Sequence, residues 1–245
     1  MFPSVSQSKE TILAQTQFFN NMSKPDLVAR KAPDAQTYQQ RYIDALTEFT
    51  IQEKTLVSTL VSQANRMMKP LKNLHAIPWK FAKLCCHIED SYPHTLADTI
   101  FLPDAILSSS VSPERLLKVL IHEKVHIYQR KYKLYSQLLI TKYWHFDILA
   151  VNNKENPDFT LLRNNPDINS IIYAKDEKLC LMRYENSEPV DIGNAKISGQ
   201  CPDNYKYEHP YEAMAYIISD AIVGDADPNT TFMYLETLGW LNRYG

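Results

Sequence analysis

The rhythm of apolar positions changes along the chain, and the changes mark where elements of different kinds should lie. Residues 7 to 21 and 35 to 69 read as helical. In the second stretch Tyr38, Tyr42, Leu46, Phe49, Leu56 and Leu60 recur at spacings that keep most of one face apolar. Pro70 and Pro78 close this half. From Trp79 to Ile88 (WKFAKLCCHI) and from Ala97 to Pro103 (ADTIFLP) the character turns strand-like. The shift near residue 70 predicts an N-terminal helical region, 1–70, packing on or covering a core formed by 71–245.

The next helix carries its own start signal. Ser112 is placed to cap it, Pro113 suits its first position, and Glu114 complements the dipole in its first turn, so a helix should run from there to about Lys131. A second apolar, aromatic helix follows around 134–148, and residues 152–170, rich in Asn, Asp and Pro, read as loop. Residues 171–184 (IIYAKDEKLCLMRY) look like a β-hairpin turning at KDEK. Pro210 opens another helix, and Thr230 or Thr231 can cap a last one ending near Arg243. The fold class expected is α+β, mainly helical, with a small sheet ahead of the Ser112 helix and a hairpin insert.

Composition narrows the function classes. A formal net charge of −2 gives no bulk attraction to nucleic acid or to an anionic membrane, so neither is expected as a partner. No run approaches the roughly 20 apolar residues of a membrane span, and the first ten residues lack the basic and apolar regions of a signal peptide. An intracellular, cytoplasmic protein is the expectation. The four cysteines show no CxxC spacing and read as free buried thiols; five glycines and no Walker or dinucleotide fingerprint argue against a phosphate loop.

One stretch does not fit a purely structural helix. VLIHEKVHIY (119–128) places His122, Glu123 and His126 among aliphatic and aromatic residues. Histidines four apart on a helix lie about 40° apart around its axis, so both imidazoles can reach one metal ion. Glu123 lies between them in angle and can reach a water on that ion without being a ligand, the arrangement of a zinc hydrolase. The plainer reading is a buried histidine pair satisfied by carbonyls, with Glu123 paired to Lys124 or Lys118. A catalytic zinc also needs a third ligand and an open position. No histidine follows before His145, so a later helix must supply the ligand, and YEHPYEAMAY offers Glu212 first, with Glu208 and His209 as alternatives.

HEKVHIYQ (122–129) followed far downstream by HPYEAMAY (209–216) resembles the gluzincin type of zincin metallopeptidases, over roughly residues 95–222. The resemblance implies one Zn2+ per chain, ligated by His122, His126 and Glu212, with Glu123 as general base in peptide-bond hydrolysis. It implies a tyrosine or histidine that stabilises the oxyanion; Tyr216 and Tyr211 are the first candidates, with Tyr207, Tyr184 and His209 also open. Where thermolysin-like members carry an aspartate four residues after the ligand glutamate, this chain has Tyr216, and Asp220 lies one turn further on. In zincins an edge strand beside the metal pairs with substrate, and DTIFLP (98–103) occupies the corresponding place in the chain; it reads equally as an ordinary interior strand of a small sheet. The alternative is a catalytically inactive zincin-like protein that binds a partner through its cleft. The partner expected under the first reading is a peptide or protein substrate.

Overall fold

The computed structural model describes residues 1–151, 159–202, 205–225 and 231–244. It is an α+β protein. Helices α1 (Val5–Ala14), α2 (Thr16–Asn20), α3 (Lys24–Ala29) and α4 (Ala35–Asp44) lead into a short strand β1 (Leu46–Thr47) and the long α5 (Ile51–Met68). A single turn α6 (Lys72–His75) precedes strands β2 (Phe81–Leu84), β3 (His94–Leu96) and β4 (Thr99–Pro103), and then α7 (Pro113–Lys131) and α8 (Lys133–Leu138). Strands β5 (Asp147–Val151), β6 (Ile171–Ala174), β7 (Leu181–Arg183) and β8 (Lys196–Ser198) precede α9 (Pro210–Val223) and α10 (Thr231–Tyr244).

Helix α7 starts and stops where its sequence says it should. The Ser112 hydroxyl accepts the Arg115 N–H, Pro113 fills the first position, and Arg130 and Lys131 lie in the last turn. The stretch 35–69 is not one helix. Thr50 and Glu53 form a reciprocal capping box that starts α5 afresh, while Leu46 and Thr47 pair with Leu84 and Lys83 of β2. The helix expected over 134–148 is likewise cut short. It ends in a wide π-turn over Leu139–Tyr143, and the chain continues as β5. The last helix begins at Thr231; Thr230 and residues 152–158 of the expected loop lie outside the described residues.

The main sheet has the order β1-β2-β4-β3, with β2 and β4 parallel and the outer pairs antiparallel. Strand β4 is therefore interior, and all five of its residues are buried. Of the two readings of residues 98–103, the interior strand is the one found and the substrate-pairing edge is not; the edge nearest α7 is β3. Side chains alternate across the sheet. Phe81, Ile100 and Leu102 face a core shared by α5, α7, α9 and α10, while Ala82, Leu84 and Phe101 face α1, α2 and α4. Helix α5 thus belongs with the main core, and the shorter N-terminal helices cover the opposite face.

The expected hairpin is also corrected. Lys175 and Lys178 do bridge a tight turn, with Asp176 and Glu177 at positive φ, but β6 pairs with β5 and β7 pairs with β8. Cys180, just before β7, is bonded to Cys201, which draws this part of the chain toward β8. Cys85 and Cys86 form a second disulfide, so none of the four cysteines is the free thiol expected from spacing alone. Such bonds persist in oxidising compartments and are reduced in the cytosol, and the structure lends no support to a cytoplasmic location. Among the described residues no helix is long and apolar enough to cross a membrane.

A buried ionic network joins the N-terminal helices to the loop before β6. The Arg30 guanidinium donates through Nε and Nη2 to both Glu89 oxygens at 2.8 Å, through Nη1 to Asp26 at 3.0 Å, and to the Asn164 carbonyl. Tyr38 donates to Glu89, and Tyr184 donates to Asp26. Glu89 sits in a turn where His87, Glu89, Asp90 and Ser91 all have positive φ, a conformation costing roughly 1–2 kcal/mol per residue. The bidentate pairing offsets that cost. Replacing Arg30 by Met would strand two buried carboxylates, with an expected loss of about 3–5 kcal/mol in the free energy of unfolding measured by denaturant titration.

Candidate metal centre and cleft

Helices α7 and α9 pack against each other and bring two distant parts of the sequence to one place. The Nε2 atoms of His122 and His126 lie 3.0 Å apart. Glu212, in the first turn of α9, puts Oε2 at 3.4 Å from His122 Nε2 and Oε1 at 3.8 Å from His126 Nε2. A tetrahedral zinc about 2.0–2.2 Å from each donor needs donor separations of about 3.3–3.5 Å, so these atoms are spaced to close on one ion. Glu123, His126 and Asp167 also converge. Asp167 makes the poorer ligand there, because its Oδ1 already accepts the Thr95 N–H and hydroxyl at 2.7 Å.

The hydrogen bonds around His126 set its tautomer. Gln129 donates through Nε2 to the Tyr211 carbonyl at 2.8 Å, which leaves Oε1 to accept from His126 Nδ1 at 2.9 Å. With Nδ1 protonated, the Nε2 lone pair faces Glu212 and His122. Burial lowers the His126 pKa, against the opposing charges of Glu212 and Asp167. Burial alone would raise Glu212, but the His126 and His122 rings and Arg163 hold it well below the usual carboxylate range. Neutral imidazole and ionised carboxylate are the forms a metal requires. Asp220 does not orient either histidine, since it pairs with Lys118 at 2.6 Å.

Both alternative third ligands are committed elsewhere. His209 caps α9: its Nδ1 accepts the Tyr211 N–H and its Nε2 donates to the Ile171 carbonyl, each at 3.0 Å. Glu208 Oε1 accepts from Arg163 at 2.5 Å and from Asn165 at 2.7 Å. The same Asn165 amide nitrogen donates to Glu212 Oε1 at 3.0 Å, so a loop residue steadies the candidate ligand.

Glu123 is buried, and its Oε2 has no hydrogen-bond partner among the described residues. Neither proposed lysine partner reaches it. Lys124 donates to the Ile77 carbonyl at 2.7 Å beneath the Trp79 ring, and Lys118 pairs with Asp220 and Asp225. Burial raises the Glu123 pKa well above its ordinary value, and the charges of Asp167 and Glu212 add to the effect against the opposing Arg130.

His122, Glu123, Glu212 and Tyr216 line a cleft of about 530 Å³. Tyr216 is 44% exposed, and its ring lies 4.4 Å from that of His122 and 5.6 Å from that of Tyr207. Burial and the surrounding carboxylates raise its pKa to about 12, so its hydroxyl stays protonated and able to donate. Tyr211 is turned into the core beside His209 and meets the site only through its carbonyl. Tyr184 belongs to the Asp26 network. Strand β3 borders the cleft through His94, but the backbone of Thr95 is occupied: its N–H by Asp167 and its carbonyl by Arg130 at 3.1 Å.

Gln129, Asn165 and Asp167 were not among the residues singled out from the sequence. Gln129 alone had a readable signal, lying three residues beyond His126 on the same helix face. The others are brought in by a loop that composition marks only as irregular. Comparisons with protein-family models, with curated proteins and with solved structures find no match for this chain.

The His209 cap makes α9 sensitive to acid. Its pKa is lowered to about 4 by burial, against about 6.5 in an unfolded chain. Between those values the unfolded chain binds the proton and the folded chain does not. The stabilisation is therefore complete above about pH 6.5 and is lost as pH falls toward 4, a loss of about 3 kcal/mol. Thermal unfolding of wild type and His209→Asn, which keeps a capping side chain without the proton, should diverge in pH dependence across that window.

Proposed function

We propose that the chain is a zinc-dependent metallopeptidase of the gluzincin type, with one zinc held by His122, His126 and Glu212 and a peptide or protein as substrate. The observation that carries the reading is the convergence of those three donors beside a buried carboxylate, Glu123, whose Oε2 has no hydrogen-bond partner among the described residues. Zinc bound there would supply a water acidified toward neutrality and a Lewis acid for the scissile carbonyl. Glu123, whose burial strengthens it as a base, takes up a proton and delivers it to the leaving amine. Tyr216, with its protonated hydroxyl in the same cleft, donates to the substrate oxygen as negative charge develops on it. Gln129 holds His126 in the ligating tautomer, and Asn165 holds Glu212.

A second reading, a non-catalytic zincin-like protein that binds a partner through the cleft, is favoured by one observation. The Thr95 backbone on the cleft edge of the sheet is taken by Asp167 and Arg130, which blocks strand addition by a substrate at that residue. A substrate must then be held by side chains instead.

Replacing Glu123 by Gln should leave about one zinc per chain and abolish cleavage of a mixed peptide library, while His122→Ala should lose the metal. Protein incubated with excess zinc and then found to carry no stoichiometric metal would rule the mechanism out from its first step. Replacing Gln129 by Ala should weaken zinc affinity about 10- to 100-fold in a competition titration with a chelator.

A further inference from the structure

The cleft extends past the candidate metal centre along α7 toward the start of that helix, where Arg115 and Lys118 line it. The two cations differ in how they are held. Lys118 is neutralised by Asp220 at 2.6 Å and Asp225 at 2.8 Å. The exposed Arg115 guanidinium makes no ion pair or hydrogen bond among the described residues, while its backbone N–H is held by the Ser112 cap. Its neighbour Glu114 lies about 100° away around the helix and does not make this pairing. The positive end of the α7 dipole reinforces the charge at the same place.

The far end of the cleft has the opposite character. Glu123, Asp167, Glu208 and Glu212 gather around the metal centre, with Arg163 committed to Glu208. A ligand spanning the cleft therefore meets carboxylates at one end and, at the other, a guanidinium with no ion pair among the described residues. Between them Val119 presents an apolar surface on the same helix face.

We infer that the cleft selects peptides carrying a carboxylate about three residues from the bond held at the metal centre, and that Arg115 is the residue that recognises it. The spacing follows from helix geometry. Arg115 lies seven residues before His122, which places it about 20° away around the axis and about 10.5 Å along it. An extended peptide covers that distance in about three residues. A guanidinium can take a carboxylate through two parallel hydrogen bonds, which a lysine or a neutral side chain cannot reproduce. The carboxylate can belong to an Asp or Glu side chain or to the peptide C-terminus. The inference rests on the peptidase reading for the identity of the ligand.

The test uses the full-length, zinc-loaded Glu123→Gln protein, so that binding is measured without turnover. A fluorescent peptide scaffold is prepared with a single Glu, Gln or Lys moved along its length, each as free acid and as C-terminal amide, and binding is followed by anisotropy. The Glu peptide in the preferred register should bind about tenfold tighter than its Gln counterpart. Adding Arg115→Gln should remove that difference, and Arg115→Glu should shift preference toward Lys, with metal content unchanged. A preference insensitive to amidation assigns an acidic side chain, and one abolished by amidation assigns the C-terminus; both support the inference. Equal binding of all peptides, or a preference that survives Arg115→Gln, overturns it. Arg115-dependent binding with no cleavage by the unsubstituted protein overturns only the peptidase reading, and failure of every peptide to bind overturns both.

Discussion

The packing of α7 against α9 is the constraint on which the cleft depends. Helix α7 carries Glu123, Lys124, His126 and Gln129 at buried positions, an arrangement a packed helix resists because each polar group must be compensated. Gln129 and Lys124 find backbone carbonyls, on Tyr211 and Ile77, and Gln129 in turn satisfies His126. Glu123 Oε2 and His122 Nδ1 find nothing among the described residues. The residues left uncompensated are those facing the convergence point, and the cost of keeping them there is what makes a bound cation a physically reasonable complement.

That convergence is supported from outside the two helices by one loop. Arg163, Asn165 and Asp167 alternate along a short irregular stretch and reach Glu208, Glu212 and the edge strand in turn. Arg130, one turn beyond His126, closes the circuit by binding the Thr95 and Pro166 carbonyls. Further out, Asn164 connects the same loop to Asp26 and Arg30, so the short N-terminal helices hold the cleft wall as well as covering the sheet. A chain of hydrogen bonds therefore runs from α3 to the carboxylate of Glu212.

Polar groups this densely linked also explain why the site tolerates so many buried carboxylates. Glu89 and Asp26 share Arg30, Glu208 has Arg163, and Asp167 has Arg130 and Thr95. Glu89, Glu208 and Asp167 each find a cation on a different element, so this part of the network is satisfied only when the whole fold is assembled. Arg115, at the open end of the cleft, stands outside this balance.

The pattern of residues determined on its own the elements whose signals are local. Helix α7, with its Ser112 cap and basic last turn, and α9, opened by Pro210, follow from capping chemistry within a few residues, and so does the placing of His122, Glu123 and His126 on one side of α7. The break before α5 also has a local signal, in Thr50 and Glu53, but the apolar spacing over 35–69 hid it. What only the tertiary structure decided depends on partners far apart in the chain: which of Glu208, His209 and Glu212 faces the histidines, that β4 is interior, that β6 and β7 pair with other strands, and that Cys180 meets Cys201. A side chain's role there is set by what packs beside it, and no local pattern encodes a neighbour that lies 82 residues away, as Tyr211 does from Gln129.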